Sequence, residues 1–289
     1  MANVLVVIVT YNALKWVGKC LRSVENSSHP ADVVVIDNGS TDGTLPLIRT
    51  DFPQVRIVET GENLGFGAAN NIGLRLALDE GYTFAYLLNQ DAWLEPDTLE
   101  KLIAAHKPDW GVLSPMQMNA HGGRDKRFDK KCGKLVDARL AGFHTDTLVV
   151  EVPFVMAAHW LVSRRAIETV GGFSPAFKQY GEDDNWLHRL HWHKLQCGVV
   201  PAAKAVHDRA GRRPSREKKM QLKCISTVVK VSDPNRNGRW MRIREVLELV
   251  GMGVKNFSAI PWRYIKELKA RLPELELLRE QSKQRGAFL

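Results

Sequence analysis

Two apolar runs near the start of the chain each end in a carboxylate: Val33-Val34-Val35-Ile36-Asp37 and Phe84-Ala85-Tyr86-Leu87-Leu88-Asn89-Gln90-Asp91. Runs that are apolar at every position, rather than at alternate ones, belong to strands covered on both faces. In an open α/β sheet the ligand crevice lies just beyond the carboxyl ends of such strands. Two strand ends carrying aspartate in one sheet therefore point to a nucleotide site with a metal.

Composition narrows the class. The 289 residues are 44% hydrophobic and 25% charged, ordinary values for a globular chain. Nowhere do apolar residues run uninterrupted for the ~18–20 positions of a membrane span. Met1-Ala2-Asn3-Val4 leads straight into a strand without a charged leader, so no signal peptide is expected and the chain reads as cytoplasmic. Cys20, Cys132, Cys197 and Cys224 are scattered without a CxxC pair, which fits reduced thiols. The formal net charge is +9, and eleven Lys and Arg against three acids fall between Lys204 and Arg239. Such a segment meets an anionic partner or simply solvates a face. Nucleic acid is not expected as that partner, because the stretch carries neither a recognition motif nor interleaved aromatics.

The periodicity predicts strands over 3–10, 32–37, 55–60, 84–89 and 111–115, with helices over 13–25, from near Gly43, over 66–80 and over 96–105. This alternation implies βαβ units with right-handed crossovers, a doubly wound α/β sheet. Residues 119–146, rich in Gly, Lys, Arg and Asp, read as a loop or hairpin inserted over the site. Regular structure resumes over 148–156, a helix over 164–170 ends at Gly171-Gly172, another starts near Glu182, and a strand covers 198–206. Beyond Asp208 the chain turns basic, with breaks at Pro214 and Pro234 and amphipathic helices over 241–254 and 262–281. The expected organisation is a domain of residues 1–210 followed by a basic, mainly helical extension, 211–289.

Several segments carry residues suited to chemistry. Asp37 leads into Asn38-Gly39-Ser40-Thr41-Asp42, where glycine permits a tight turn and the polar residues can cap a helix. A carboxylate there can accept the imino N–H of a uracil or thymine ring; a capped loop that binds nothing is the plainer alternative. Glu62-Asn63-Leu64-Gly65-Phe66-Gly67 opens a helix whose start could face phosphate or ribose, without the spacing of a dinucleotide fingerprint. Asn89 and Asp91 offer the hard oxygen donors that suit Mg²⁺ or Mn²⁺. Glu182-Asp183-Asp184 place three acids at a helix start. The helix dipole favours acids there, yet three exceed that need, and a positioned carboxylate is the expected general base for a sugar hydroxyl. His207 follows an apolar strand and could ligate a metal. His188, His191 and His193 lack a thiolate or carboxylate at zinc spacing and read as packing or acceptor-side residues.

Taken in order, VVIVTYNA, VVVIDNGSTDGT, ENLGFGAANNIG, YLLNQDAWLEPD, WLVSRRAIETVGGFSPAF, YGEDDNW and PAAKAVHD make the chain resemble the inverting family 2 glycosyltransferases, in particular the rhamnosyltransferase-like branch. The resemblance implies a GT-A fold, a Rossmann-like mixed and mainly parallel sheet flanked by helices, with the C-terminal helical extension outside the match. It implies that Thr10, Tyr11 and Asn12 lie on the nucleotide side, that Asp37 reads the base, and that Asn63, Gly65 and Asn89 line the nucleotide pocket. Asp91 and His207 would hold a divalent cation, Mn²⁺ or Mg²⁺. Asp183 would be the catalytic base, with Glu182 supporting it or meeting the acceptor. The partners so implied are a UDP- or dTDP-linked sugar donor and a saccharide or lipid-linked acceptor, in bacterial surface polysaccharide synthesis. Residues 119–146 and 154–160 are expected to contact the sugar. The basic segment and C-terminal helices are expected to dock on the inner, anionic face of the plasma membrane. Two departures are visible: Asn89 stands where the family's metal motif has its first acid, and Asn185 where many relatives carry an acid after the base. They leave open a nucleotide-binding but catalytically degenerate relative. A sugar-nucleotide pyrophosphorylase would share the architecture, but it needs a glycine-rich basic loop where this chain has Thr10-Tyr11-Asn12-Ala13.

Overall fold

A computed structural model describes residues 2–142, 148–209 and 215–289. The end of the expected insertion, 143–146, lies outside the described residues, as do Arg212, Arg213 and Pro214 of the basic segment. The first half alternates as the periodicity predicts. Strand β1 (Val4–Thr10) is followed by α1 (Val17–Glu25), β2 (Asp32–Asp37), α2 (Thr44–Asp51), β3 (Arg56–Glu59), α3 (Phe66–Asp79) and β4 (Phe84–Asn89). Then come β5 (Ala92–Leu94), α4 (Thr98–Ala105) and β6 (Trp110–Met118). Helix α1 starts four residues later than the apolar spacing suggests, because Asn12 and Ala13 are spent bonding Ser40 and Thr44 on the neighbouring loop.

The insertion is more ordered than a loop or hairpin. A bridge between Met118 and Arg124 closes a small turn, and Asp125 then caps α5 (Lys126–Phe128) by accepting from the Arg127 and Phe128 amides. A π-helical turn (Asp129–Gly133) and α6 (Lys134–Gly142) continue it. Phe128, Cys132 and Val136 are buried in the main core, a four-residue spacing that reads as helix once their burial is known.

The second half contains β7 (Val150–Glu151), β8 (His159–Ser163), α7 (Arg164–Val170), α8 (Glu182–Trp192) and β9 (Gln196–His207), and then α9 (Arg216–Val231), α10 (Gly238–Asn256) and α11 (Ile260–Gln281). The sheet order is β3-β2-β1-β4-β8-β6-β9-β5, with β7 also on β9. Strands β3, β2, β1 and β4 run parallel, as do β6 and β9, while β8 is antiparallel to both its neighbours. Alternate residues of β1 feed two cores, Leu5 and Val7 on one face, Val4, Val6 and Ile8 on the other, which is why every position of that strand is apolar. A third core joins α9, α10 and α11 to Ala176 and Phe177, between α7 and α8.

Register positions the site. Thr10 lies opposite Asp37 and Val9 opposite Asn89, so three parallel strands end at one level. The chain leaves β1 toward β2 and β3, then returns to the other side as β4. The crevice between β1 and β4 is thus the topological switch point, where such sheets bind ligands.

Candidate active site

A cavity of about 920 Å³ opens at that switch point. Tyr11, Asn12, Asn63, Gly65, Asn89 and Asp91 line it, together with Asn38, Phe66 and Gln90. Of the residues expected from sequence, Thr10, Asp37, Glu182, Asp183 and His207 stand behind or beside the wall rather than on it. Asp37 is 1% exposed; its carboxylate accepts from Thr10 Oγ1 (2.7 Å), Ser40 N (2.9 Å) and Ser40 Oγ (2.6 Å). Its neighbour Asn38 is the side chain on the cavity wall, accepting from the Leu64 amide at 3.1 Å and donating to the Gly65 carbonyl at 3.2 Å. Across the switch point Gln90 clamps the strand end, accepting from the Tyr11 amide at 2.7 Å and donating to its carbonyl at 3.3 Å.

Gly65 has φ +87, and a Cβ there would collide with the Lys178 carbonyl oxygen. Only glycine combines that backbone with so close an approach. It lets residues 176–180 close over the start of α3, where they form the opposite wall.

Asp91 and His207 are 116 positions apart and meet because β5 pairs with the end of β9, Ala92 opposite His207. His207 Nε2 lies 3.3 Å from Asp91 Oδ1, and the Asp208 amide donates to the Asp91 carbonyl at 2.8 Å. Burial opposes ionisation of Asp91, but the His207 hydrogen bond and charge, with Arg209, hold the carboxyl below its ordinary value. Two buried atoms here have no partner among the described residues: Asn89 Oδ1 and His207 Nδ1. An ionised carboxylate, an imidazole nitrogen and a spare amide oxygen form a donor set that fits a hard divalent cation. Behind them His159, buried on β8, donates from Nε2 to the Val206 carbonyl (3.0 Å), which leaves Nδ1 to accept from Tyr86 Oη (3.0 Å). Burial, reinforced by His207, pushes its pKa down to about 3, so it stays neutral. Nothing in the local sequence distinguishes it from a core histidine.

The acidic helix start is built differently. Tyr180 (φ 69) and Gly181 (φ 91) are consecutive left-handed residues that swing the chain into α8; the tyrosine stores strain of the kind found at functional sites. Trp186 anchors the helix against Trp160 and Phe173, with ring centroids 5.5 and 6.3 Å away, and its indole donates to the Gly171 carbonyl at 3.0 Å. Burial dominates the acids: it pushes Glu182 up to about 8, with Asp183's charge adding to it, and Asp184 up to about 6 for the same two reasons. Asp183 is raised as well by burial, against the opposing Asp184 amide and the Arg127 guanidinium. Arg127 also acts on Arg209, which in turn acts on Asp91. One electrostatic neighbourhood therefore joins the acids of α8 to Asp91, although they come from different elements. Arg209 further ties β9 to the insertion through Asp125 at 3.0 Å.

Sequence reasoning missed Asn38, Gln90, Arg127 and the wall contributed by α9 and α11, where Thr227, Tyr264 and Arg271 face the cavity. Asn38 and Gln90 adjoin expected residues and were within reach. The helical wall was not, because α9 hides in the basic segment.

Comparison with known proteins bears on the family and the fold. Residues 5–171, more than half of the chain, match the family described as Glycosyl transferase family 2. An N-acetylglucosaminyl-diphospho-decaprenol L-rhamnosyltransferase of Mycobacterium tuberculosis (strain CDC 1551 / Oshkosh) is 28% identical over 84% of this chain and 88% of its own length. The dTDP-rhamnosyl transferase RfbF of Shigella flexneri is 32% identical over 71% of this chain and 69% of its own. Among solved structures, S. aureus TarS 1-349 superposes with TM-score 0.58 at 17% identity, covering 84% of this chain and 68% of TarS. The Pyrobaculum calidifontis mannosyltransferase PcManGT, solved with GDP-Man and Mn²⁺, gives TM-score 0.56 at 19% identity over 96% and 73%. The mixed α/β fold is accordingly that of the GT-A glycosyltransferases, and the chain belongs to glycosyl transferase family 2.

Proposed function

We propose that this chain moves a sugar from a UDP- or dTDP-linked donor to a saccharide or lipid-linked acceptor with inversion, in polysaccharide synthesis. The observation that carries the reading is the ionised Asp91, bonded to His207 beside the unpartnered Asn89 oxygen, on the wall of a cavity large enough for a nucleoside diphosphate. The names of the relatives support the sugar and acceptor classes: one transfers rhamnose to a lipid-linked diphosphate sugar, the other uses a dTDP-linked donor.

Asn38, Asn63 and the Tyr11–Asn12 turn line the nucleotide end, with Asp37 bracing the loop that carries them. Asp91, His207 and Asn89 would hold Mn²⁺ or Mg²⁺, which when bound compensates the charge of a departing diphosphate. Asp183 accepts the proton of the acceptor hydroxyl while that oxygen attacks the anomeric carbon. The bond from that carbon to the diphosphate oxygen breaks on the opposite face, and the electron pair leaves with the diphosphate. A raised carboxylate is the stronger base for this step. Glu182, protonated near neutral pH, limits the negative charge beside Asp183. The division of roles between residues 1–210 and 211–289 belongs to the same proposal, the first supplying the chemistry and the second the far wall. No described helix is long and apolar enough to cross a membrane, so a lipid-linked acceptor would be met at a surface.

Calorimetric titration of UDP, dTDP and GDP, each with and without Mn²⁺, tests the donor site on wild type and Asp91→Asn. Metal-dependent binding of UDP or dTDP that the substitution removes is expected. Binding of none of them would overturn the assignment.

A further inference from the structure

Helix α10 presents apolar residues outward as well as inward. Leu249 is buried against α9 and α11, yet Trp240 is 71% exposed, Leu247 65% and Val254 61%, with Ile243 half-exposed between them. At ~100° per residue these four fall within a sector of about 60°, a continuous stripe along the helix. The stripe runs into the turn before α11, where Phe257 is 99% exposed, and on to Trp262 in the first turn of α11, which is also open to solvent. Scattered apolar surface needs no explanation, but an outward stripe ending in aromatics marks an interaction surface.

Charge identifies the partner. Arg244, Lys255, Arg263 and Lys266 are exposed on the same two helices and form no ion pair with a carboxylate among the described residues. The acid on that side of α10, Glu248, is already paired with Lys230. A second copy docked on this stripe would bring these cations together, whereas an anionic bilayer complements both them and the apolar row. Aromatic residues at the level of the headgroups, with flanking Lys and Arg, describe a helix lying in the membrane interface.

We propose that the outer face of α10 and the α10–α11 turn seat the protein on an anionic membrane surface. This places the contact on Trp240–Trp262 rather than on the basic stretch that precedes them. The cavity wall at Leu249, Tyr264 and Leu275 belongs to the same helices, so a membrane contact on their outer face and the cavity wall on their inner face would share one structural support. That consequence rests on the proposed function; the membrane contact itself does not.

Sedimentation of the full chain with vesicles tests it, using phosphatidylcholine alone and phosphatidylcholine with one-third phosphatidylglycerol. Binding to the anionic vesicles is expected, falling about five-fold for each of Arg244→Gln and Lys255→Gln, the equivalent of ~1 kcal/mol per cation. It should be lost in the double variant Leu247→Ser/Phe257→Ser, whose UDP and dTDP binding stays as in wild type. Equal binding to both vesicle types, or anionic binding retained by the double variant, would overturn the inference. So would a wild-type dimer that the double variant dissociates in sedimentation velocity, which would give the stripe to a second copy. Because nucleotide binding is read separately, failure of the membrane seat and failure of the donor site are distinguishable.

Discussion

Replacing Glu182 with glutamine should make the protein more stable, and increasingly so as pH rises. Glu182 is 9% exposed, its Oε2 has no partner among the described residues, and burial beside Asp183 raises its pKa from 4.5 to about 8. Below the lower value both the folded and unfolded chains hold the proton, and the group costs nothing. Between the two values the unfolded chain has released it while the folded chain retains it, so stability falls with pH by up to ~1.4 kcal/mol per unit. Above about 8 the loss is complete and constant. Glutamine keeps the shape without the titration. The gap between Glu182→Gln and wild type is therefore near zero at the acid end, ~3 kcal/mol at neutral pH and somewhat larger beyond. For a chain of this size that corresponds to roughly 5–10 °C in Tm. Thermal melts of both proteins across this window measure it. A gap independent of pH, or a glutamine variant that is the less stable at the alkaline end, would refute the account of Glu182 as a buried, protonated acid.

Three further outcomes follow from the site. Asn89→Asp adds a charge beside Asp91 and His207 and should lower the Mn²⁺ concentration needed for UDP or dTDP binding by about tenfold, ~1.4 kcal/mol, read by calorimetry at fixed nucleotide. Gly65→Ala forces a Cβ onto the Lys178 carbonyl at φ +87; a loss of ~1–3 kcal/mol of stability and weaker nucleotide binding are expected from melts and titrations. Arg127→Gln removes the positive charge that opposes the raised pKa of Asp183, so the acid limb of kcat/KM should move to higher pH. An unmoved limb would mean that another group supplies the base.

Much of this was legible because it depends on local patterning. The strand ends at Thr10, Asp37 and Asn89 follow from apolar runs that stop at polar residues, and parallel register then aligns them. The pairing of Asp91 with His207 was legible only through resemblance, since nothing local says that the three-residue β5 turns back on β9. Helix α9 was hidden because the Lys and Arg of its exposed face dominate the composition, while Met220, Cys224, Thr227 and Val231 form the buried face. The ordered insertion was hidden for a similar reason: its buried Phe128, Cys132 and Val136 are separated by charged residues that suggest a loop. In both cases tertiary burial, rather than propensity, decides the helix.

Helix α8, which carries the proposed base, makes contacts near both of its ends with residues beyond 210. It begins at a left-handed Gly181, where a Cβ would come within 2.6 Å of Val229 Cγ2 on α9. Farther along the same helix, Arg189 is fully buried and has no carboxylate partner among the described residues; it donates to the carbonyls of Val170, Gly172 and Ala287 and lies 4.7 Å from the Phe288 ring. Burial pushes this guanidinium down to about 9, a cost borne only because its carbonyls converge on one point. Two of those carbonyls come from the Val170–Gly172 turn and one from the segment after α11, which is itself bonded back to Thr169 and Gly172. A buried cation held by carbonyls from distant segments loses its compensation if any one of them leaves. The orientation of Glu182 and Asp183 therefore depends on contacts at both ends of α8 with residues beyond 210. If the outer face of α10 seats on a membrane, the packing of α10 on α9 and α11 would link that seat to the helix proposed to present the base.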